Sequence, residues 1–587
     1  MRVNNYKQDE EKTKFSFNNM LRMLKYTLPY KKELFSSTAM GIMSSIFLLL
    51  IPKIVSYTVD TAFIEKNIVK ILCLALLMLC LILISLFITN IRRYKQSIIL
   101  NHVAHDLKVE IFSKLQYLPT TYYDTKSNGK IYTRATSYPD DVASVLCYVF
   151  IEIFLEIINL IFIIFFMVTT NIQLSLVSIL LMIFLSLFFI LLSPIIRKKQ
   201  HEYNNKESNI NAFLSESING IRITQSFNRE EENERILKEL EKKRMKVLKT
   251  NICIGNLNWS LTGIFSLISM AYIYYIGLKY MYPAVSLGVI LAIDSYSSSF
   301  WAPIENIFSN YNNLMNANTY LERIFELLDE PLQITNSPDA QSFEIEGNVT
   351  FNHVIFGYDR NKIVLSDLNF EIKKGQKVGI VGETGCGKTT ILNLISRFYD
   401  IIDGEILIDN VNIKNIKLEN LRGQISIMFQ DNFLFARSVY ENLILNKSCS
   451  RIEVQNICQK LGIHDIILSL ENGYDTILYN NGSNLSNGER QLLCLARIMI
   501  QDPKILILDE ATSNVDAKTE KKIEEAMSMV SKNRTTIMVA HRLSTIKNTD
   551  VIFVMKDGKL IETGTHDELI KQNGYYNSLY MKQYKVL

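Results

Sequence analysis

The amino-acid sequence predicts a multidomain protein, in which an all-α domain of six membrane-crossing helices is followed by an α/β domain. Long apolar runs fill the first half of the chain, and short β-rich runs alternate with helical patterns in the second half. The length of 587 residues exceeds that of a single domain. The apolar content of 48% is high for a soluble protein but too low for a chain embedded in a membrane throughout. A protein with one domain in the membrane and one soluble domain fits both the chain length and the apolar content.

The six apolar runs are each close to or longer than the ~20 residues that a helix needs to cross a bilayer. Six such runs with so few charged residues favour membrane spans over buried helices of a soluble core. A mixed aromatic segment at 15–33 precedes them and predicts a helix lying along the membrane surface. The runs cover residues 34–58, 68–91, 145–168, 172–196, 252–280 and 283–308.

The connections between the runs alternate in length and charge. Those at 63–67, 169–171 and 281–284 are short, whereas those at 92–144 and 197–251 are long and rich in Lys and Arg. Because basic loops stay on the cytoplasmic side, we expect a multi-pass protein of the plasma membrane with both termini and both long loops in the cytoplasm. The helical pattern of the long loops predicts helical hairpins that continue the spans. The polar N-terminus has no secretory signal pattern.

The charge distribution argues against a nucleic-acid-binding protein, and the cysteine spacing argues against a disulfide framework or a cysteine metal site. The net charge of +4 is spread over loops, so we expect no nucleic-acid partner. The eight cysteines form no C-x-x-C pair and no metal-ligand spacing, and we interpret them as reduced thiols.

A polar, turn-forming stretch at 329–346 predicts a linker. The expected domains are a cytoplasmic tail with an interfacial helix (1–33), a membrane domain (34–328), this linker, and an α/β domain (347–587).

The strongest motif is GETGCGKT at 382–389, which matches G-x-x-x-x-G-K-[ST] in full. It follows the strand pattern KVGIV and precedes the helix pattern TILNLISRF, which is the context of a phosphate-binding P-loop. We expect backbone N–H groups to wrap the phosphates of ATP, Lys388 to reach the β- and γ-phosphates, and Thr389 to hold Mg²⁺. The predicted nucleotide-binding residues here are Gly382, Glu383, Thr384, Gly385, Cys386, Gly387, Lys388, Thr389 and Thr390.

The segment KILILDEATSNVD supplies a second element of the same chemistry. Its apolar residues predict a buried strand that ends in Asp509 and Glu510. Beside a P-loop, Asp509 is expected to belong to the Mg²⁺ shell and Glu510 to polarise the attacking water. A solvated turn is the alternative for two acids at a strand end. His541 follows the strand TTIMVA, where it is expected to contact the γ-phosphate, with a structural role as the alternative.

These motifs, in this order, resemble the ATP-binding cassette (ABC) exporters over nearly the whole chain, as a half-transporter with six spans and one nucleotide-binding domain. The resemblance implies that Tyr358 in FGYD stacks on adenine. It also implies that Gln430 in MFQD acts at the Mg²⁺ site and links this site to the membrane domain. The implied Mg²⁺ ligands are Thr389, Gln430 and Asp509. Glu510, His541, Lys388 and Gln430 form the implied catalytic set.

The resemblance extends to the signature loop of the family and to the connections between the domains. It identifies LSNGER as the signature, in which Ser486 and Gly488 contact the nucleotide, and it places Asp516 in the loop after the catalytic Glu and His541 as the switch histidine. The segments GKIYTRATSYPDDV and SESINGIRITQSFNRE resemble the coupling-helix loops that carry motion between the two halves.

The signature departs from the family's Leu-Ser-Gly-Gly-Gln. Asn487 replaces the first Gly and adds bulk close to phosphate, and Glu489 replaces the Gln and adds negative charge near a triphosphate. Asn480 also stands where the family usually has an acidic residue, in a loop thought to touch the partner's coupling helix. In this family each ATP lies between the P-loop of one chain and the signature of another, so the resemblance implies a dimer.

The intact P-loop and Glu510 contrast with the divergent signature, as in one member of the heterodimeric bacterial exporters. We therefore expect a second half-transporter as partner, whose intact signature completes this chain's site. A homodimer that tolerates Asn487 and Glu489 is the alternative. The expected function is ATP-driven export or flipping of a small hydrophobic or amphipathic substrate, drugs among them, across the lipid bilayer. A homodimeric lipid or peptide exporter is the second hypothesis, and an ATP-gated channel or regulator is disfavoured because no hydrolytic Glu is lost.

Three acidic residues within the apolar runs are candidates for substrate contact, because charges in spans are costly. Glu152 and Glu156 are four residues apart and share a helix face, and Asp294 lies near the middle of the sixth run. Acidic groups in a cavity favour cationic amphiphiles. The alternative is that the two glutamates reach the cytoplasmic rim or pair with Arg or Lys.

Overall fold

A computed structural model defines residues 17–359, 362–430, 432–445, 447–479, 481–509, 517–539 and 546–584. The chain divides into two compact units. The first contains the described residues up to Gln116 together with Asn128–Glu330. The second contains Tyr117–Ser127 together with the described residues from Pro331 onward. The short segment Tyr117–Ser127 is therefore packed within the second unit although it connects two long helices of the first.

The first unit is helical, and the predicted apolar runs fall on its helices, although the sixth run (283–308) begins in a turn and is divided between two helices. Its α-helices are Phe17–Thr27, Lys31–Tyr57, Ile68–Tyr117, Asn128–Ser144, Phe150–Thr170, Ile172–Asn219, Ile221–Ser226, Glu230–Ile276, Leu287–Ser299 and Trp301–Leu328. A short 3₁₀ turn lies at Leu28–Tyr30, and π-helical turns at Thr58–Ala62, Val145–Val149 and Gly277–Met281 extend or join these helices.

Four helical stretches within the described residues are long and apolar enough to cross a membrane, namely Leu21–Ala62, Ile68–Tyr117, Asn128–Thr170 and Ser260–Met281. Ile172–Leu187 is a shorter apolar stretch, and the sixth predicted run lies in the helices that begin at Leu287. The helix Ile68–Tyr117 has 50 residues, about 75 Å at 1.5 Å per residue, against a hydrocarbon core of about 30 Å. The predicted helical continuation beyond residue 91, the end of the second apolar run, is confirmed.

The two segments that resemble coupling-helix loops differ in structure. GKIYTRATSYPDDV lies inside the long helix Asn128–Ser144, and the short helix that precedes it is Thr120–Thr125. Pro119, in an extended conformation before Thr120, starts this short helix. A second short helix, Ile221–Ser226, lies inside SESINGIRITQSFNRE.

A partly buried carboxylate links the turn Thr58–Ala62 to the start of the sixth predicted run. Asp60 accepts hydrogen bonds from the hydroxyl of Ser286 at 2.5 Å and from the backbone N–H of Gly288 at 2.9 Å. The Ser286 hydroxyl also accepts from the N–H of Val289. The first turn of the helix Leu287–Ser299 is thus capped by two side chains, that of Ser286 directly before it and that of Asp60 in the turn Thr58–Ala62.

The second unit contains two sheets. The strands are β1 (Val349–Phe356), β2 (Leu365–Ile372), β3 (Lys377–Gly382), β4 (Asp403–Ile408), β5 (Val411–Asn412), β6 (Ile425–Met428), β7 (Ile505–Asp509), β8 (Thr535–Val539), β9 (Val551–Lys556) and β10 (Lys559–Gly564). The larger sheet has the order β10-β9-β3-β8-β7-β6, in which only β10 is antiparallel among the described strands. The predicted, largely parallel sheet is confirmed.

A four-stranded antiparallel sheet of order β2-β1-β4-β5 accompanies it. The run GEILIDN forms β4 of this sheet, where Ile406 faces Phe351 of β1, and so is not part of the parallel sheet that its pattern predicted. Burial separates the two kinds of strand. Residues of β8 are buried on both faces, whereas buried and partly exposed residues mix along β1.

Helices cover the sheets of this unit and complete its cores. They are Lys388–Ile395, Leu418–Gln424, Val439–Ile444, Arg451–Lys460, His464–Leu468, Asn487–Gln501, Ala517–Val530, His566–Lys571 and Tyr575–Tyr584, with 3₁₀ turns at Ile413–Asn415 and Gly473–Asp475. One core joins both sheets to the helix Lys388–Ile395 through Ile391, Leu394 and Ile395. A second core surrounds the helix Asn487–Gln501.

One carboxylate secures the start of the nucleotide-binding unit. Asp409 accepts hydrogen bonds from the N–H groups of Glu346 at 2.7 Å and Asn348 at 2.9 Å, and from the Asn348 amide at 2.8 Å. We expect Asp409→Ala to lower the free energy of unfolding by about 1–3 kcal/mol, because these donors lose their acceptor. Calorimetry of the full chain measures the loss.

Asp367 provides the matched control for this substitution. Its backbone has φ 54°, close to the 49° of Asp409, so alanine imposes a similar backbone strain at both sites. Its carboxylate, however, is exposed and bonds the exposed His353. Equal destabilisation by Asp367→Ala and Asp409→Ala would show that the carboxylate of Asp409 contributes nothing beyond its backbone conformation.

Candidate nucleotide site

The loop between β3 and the helix Lys388–Ile395 has a backbone that requires glycine. Gly385 and Gly387 adopt φ values of 88° and 102°, in the left-handed region. A Cβ at Gly387 would lie 2.5 Å from Cδ2 of Leu365. The glycines predicted from the motif are therefore needed for the path of the loop itself.

The ammonium of Lys388 is held inside this loop. The residue is 6% exposed, and its Nζ donates hydrogen bonds to the carbonyl oxygens of Gly382 at 2.8 Å and Glu383 at 3.0 Å. Among the residues that the structure describes, no carboxylate forms an ion pair with it. A buried positive charge at a helix N-terminus, balanced only by carbonyl dipoles, is suited to an anion such as a triphosphate.

Cys386 lies at the bottom of the same loop. The side chain is 6% exposed, and its Sγ lies 4.0 Å from Nζ of Lys388. Burial raises the pKa of the thiol, and the nearby ammonium opposes this shift only partly. The thiol is therefore protonated and poorly reactive at neutral pH.

An aromatic cluster stands beside the P-loop. Tyr358 is 50% exposed, and its hydroxyl lies 3.1 Å from Oγ1 of Thr390 in the first turn of the P-loop helix. The rings of Phe356 and Tyr399 contact it edge to face, with centroids 5.1 Å away in each case. An exposed ring fixed in this way next to a phosphate loop offers a surface on which a base can stack.

The acidic and amide residues predicted for the metal lie at the same edge of the parallel sheet. Asp509 is the last residue of β7, and β8 separates β7 from β3, whose last residue opens the P-loop. Gln430 follows β6, next to β7, and is exposed. Carboxyl ends of parallel strands form the usual ligand edge of such sheets. Glu510, Asp516, His541 and Asn480 lie outside the described residues.

The signature loop opens the helix Asn487–Gln501. The hydroxyl of Ser486 accepts a hydrogen bond from the N–H of Glu489 at 3.3 Å, and the carboxylate of Glu489 accepts one from the N–H of Ser486 at 2.8 Å. This reciprocal pair is a capping box. Glu489 therefore stabilises its own helix, and its negative charge stands at the N-terminus where Gly488 is buried.

Asn487 and its neighbours form a second set of contacts around this loop. The guanidinium of Arg490 donates to the side-chain oxygen of Asn487, and to the backbone carbonyl of Asn481 at 3.3 Å. The side chain of Asn481, in turn, accepts from the N–H of Leu434 at 2.7 Å. The side chain that replaces a glycine is thus tied to the surface of its own unit.

The acidic residues of the membrane unit have different surroundings. Glu152 forms an ion pair with Arg92 at 2.9 Å, which confirms the pairing alternative for this residue. Glu156 accepts a hydrogen bond from the Asn306 amide at 2.6 Å. Asp294 has one carboxylate oxygen 3.5 Å from the Tyr274 hydroxyl and a second one, Oδ1, with no hydrogen-bond partner in the described part of the chain.

Two features of the site were missed in the sequence. The spacing Ser-x-x-Glu at 486–489 is a capping-box pattern, so the stabilising role of Glu489 was visible before the structure. The position of Tyr399 beside Tyr358 was not, because no local pattern relates two tyrosines 41 residues apart.

Comparisons with known proteins agree with this geometry. The ABC transporter family model matches residues 365–513, and the model of the ABC transporter transmembrane region matches residues 34–304. The ABC transporter ATP-binding protein YknV of Bacillus subtilis (strain 168) is 33% identical over 586 residues, which cover 99% of this chain and 97% of that protein.

Two further proteins extend the comparison to export and to a solved structure. A provisionally named multidrug export ATP-binding/permease protein of Staphylococcus aureus (strain NCTC 8325 / PS 47) is 33% identical, over 96% of this chain and 99% of its own. A bacterial Atm1-family ABC exporter solved with ATP bound superposes with a TM-score of 0.78 at 25% identity, covering 94% of this chain and 98% of that one. This chain therefore belongs to the ABC transporter family, as an exporter whose N-terminal membrane domain is fused to an ATP-binding domain with ATPase activity coupled to transport.

Proposed function

We propose that this chain is one half of a heterodimeric exporter that moves a hydrophobic or amphipathic substrate out of the cell. The observation that carries the proposal is the contrast between the two nucleotide-facing loops. The P-loop keeps the buried ammonium of Lys388 ready for an anion. The N-terminus of the signature helix instead carries the carboxylate of its own Glu489, which accepts a hydrogen bond from the N–H of Ser486. A partner with an intact signature supplies what this chain lacks.

In this proposal each residue of the P-loop region has a defined task. Lys388 and the backbone N–H groups of 382–390 hold the β- and γ-phosphates, and Tyr358 stacks on the adenine. Thr389, Gln430 and Asp509 offer hydroxyl, amide and carboxylate oxygens, which fit Mg²⁺. Mg²⁺ held by these three residues would supply positive charge next to the phosphates.

The remaining catalytic tasks fall to residues that follow β7 and β8. Glu510 accepts a proton from the attacking water and orients it, His541 donates to the γ-phosphate, and Asp516 lines the loop after Glu510. In the second composite site, Ser486 and Gly488 of this chain face the nucleotide of the partner. The charge of Glu489 weakens that site, because a carboxylate repels a triphosphate in a partly desolvated space.

The membrane unit supports an orientation and a class of substrate. The Lys- and Arg-rich long connections favour a cytoplasmic position for the nucleotide-binding domain and both termini. Asp294, Ser297 and Trp301 follow helical spacing, and Oδ1, Oγ and Nε1 of these residues are buried without a hydrogen-bond partner among the described residues. An acceptor with negative charge in an aromatic surrounding suits a cationic amphiphile. The provisional name of the Staphylococcus aureus relative, a multidrug export ATP-binding/permease protein, supports this class of substrate.

The heterodimer can be tested with this chain alone in membranes. We expect slow ATP hydrolysis, and an increase on the order of 10²-fold when Asn487→Gly and Glu489→Gln together restore the family signature, since positioned donors to the phosphates contribute about that much. Glu510→Gln in the restored chain should abolish the activity. Robust, cooperative hydrolysis by the unaltered chain that Glu510→Gln removes would contradict the heterodimer.

Cys386 tests the nucleotide site through thiol chemistry. N-ethylmaleimide should react slowly at pH 7 and faster as the pH rises, because the thiolate is the reacting form and burial raises the pKa of this thiol. The reaction should block ATPase activity, with ATP protecting. The variant Cys449→Ser, which lacks a thiol outside the loop, should keep the same sensitivity. Full labelling of Cys386 with undiminished ATPase activity would refute the position of Cys386 in the nucleotide site.

Asp294 tests the substrate class. We expect Asp294→Asn to reduce ethidium efflux by on the order of tenfold, because the charge attraction is lost in a low-dielectric surrounding, and to leave efflux of a neutral dye unchanged. Asp140→Asn is the control, since Asp140 forms an exposed ion pair with Lys108 at 2.7 Å. Unchanged ethidium efflux in Asp294→Asn would exclude this residue from substrate binding.

A further inference from the structure

The P-loop helix has functional contacts at both of its ends. Its N-terminus carries the phosphate loop, and its last residue, Ile395, lies about 12 Å further along at 1.5 Å per residue. The chain then enters the loop 396–400, in which Arg397 donates to Asp400 at 3.1 Å and to the carbonyl of Thr335 at 3.1 Å. Arg422 donates to the carbonyl of Arg397 at 2.9 Å. The loop is therefore fixed to the body of the domain.

This fixed loop binds the short helix Thr120–Thr125. The hydroxyl of Thr120 donates to the carbonyl of Phe398 at 3.0 Å, and the hydroxyl of Tyr399 donates to the carboxylate of Asp124 at 2.5 Å. The Tyr399 side chain is 8% exposed. Burial and the bond to Asp124 raise the pKa of Tyr399 to about 12, so the hydroxyl remains a donor at all physiological pH values.

The ring of the same side chain also contacts Tyr358, the residue proposed to stack on the base. The ring of Tyr399 meets the ring of Tyr358 edge to face, at 5.1 Å between centroids and 89° between planes. Tyr358 in turn approaches Oγ1 of Thr390 at 3.1 Å. One buried side chain thus contacts both the exposed ring beside the phosphate loop and the helix that leads to the membrane domain.

We propose that Tyr399 is a positioning residue, which links the base-stacking ring of Tyr358 to the helix Thr120–Thr125, so that the nucleotide base fixes this helix. The inference rests on the proposed role of Tyr358. A base stacked on Tyr358 restricts that ring, the restricted ring limits the movement of Tyr399, and the hydroxyl of Tyr399 holds Asp124. The phosphates alone engage only the P-loop and leave the ring of Tyr358 free to move.

Hydrogen–deuterium exchange of the full chain in lipid nanodiscs tests this link with two ligands. AMP-PNP carries the base and the phosphates, whereas tripolyphosphate carries phosphates alone. We expect both to slow exchange in the peptide 382–390. Only AMP-PNP should slow exchange in 117–127, by about two- to tenfold, the factor that one edge-to-face aromatic contact supplies.

Two variants separate the hydroxyl of Tyr399 from its ring. Tyr399→Phe keeps the ring beside Tyr358 and removes the bond to Asp124, so AMP-PNP should still protect 382–390 but no longer 117–127. Combining it with Asp124→Ala should add nothing, since both changes break the same bond. Tyr440→Phe is the control, because its hydroxyl donates to the carbonyl of Cys449 at 2.9 Å; it should behave like the unaltered chain.

Two results would overturn the link while leaving the nucleotide site intact. One is full protection of 117–127 by AMP-PNP in Tyr399→Phe, and the other is equal protection of 117–127 by tripolyphosphate in the unaltered chain. Loss of protection of 382–390 by both ligands in the unaltered chain would contradict the nucleotide site itself, and the link with it.

Discussion

The buried helix Lys388–Ile395 and the charge at its N-terminus are the constraint on which the rest of the nucleotide-binding unit depends. A lysine ammonium is costly to bury unless dipoles or anions surround it. Here the carbonyls of Gly382 and Glu383 stabilise the ammonium of Lys388 in part, and an anionic ligand would stabilise it further. The helix is anchored by Ile391, Leu394 and Ile395 in the core that joins both sheets.

The signature loop shows how one substitution can serve stability and restrict function. Capping boxes also open the helices Val439–Ile444, Arg451–Lys460 and His566–Lys571, each with Glu as the third residue of the helix. Glu489 follows the same pattern in the helix Asn487–Gln501. A carboxylate stabilises a helix N-terminus because it matches the helix dipole. The same charge makes that N-terminus less favourable for phosphate.

The carboxylates of the membrane unit differ in how completely they are hydrogen-bonded or ion-paired. Asp60 accepts from both Ser286 and Gly288, and Glu152 pairs with Arg92, so these carboxylates have structural partners. Among the described residues, Asp294 has only one long contact, from Tyr274. A carboxylate in a membrane domain with incomplete pairing is costly to the fold. That cost makes Asp294, and not the two glutamates, the acid with the stronger indication of a role in transport.

The sequence by itself determined the order of the domains, the apolar runs, the parallel strands that end in Gly382 and Asp509, and the residues of the phosphate loop. These features depend on local periodicity, on glycines with special backbone angles and on a motif of fixed spacing. Only the tertiary structure decided that GEILIDN joins an antiparallel sheet, that the first short helix is Thr120–Thr125, and that Tyr399 contacts both Tyr358 and Asp124. The pairing of β4 with β1 and the contacts of Tyr399 join residues far apart in the chain, and no local pattern encodes them.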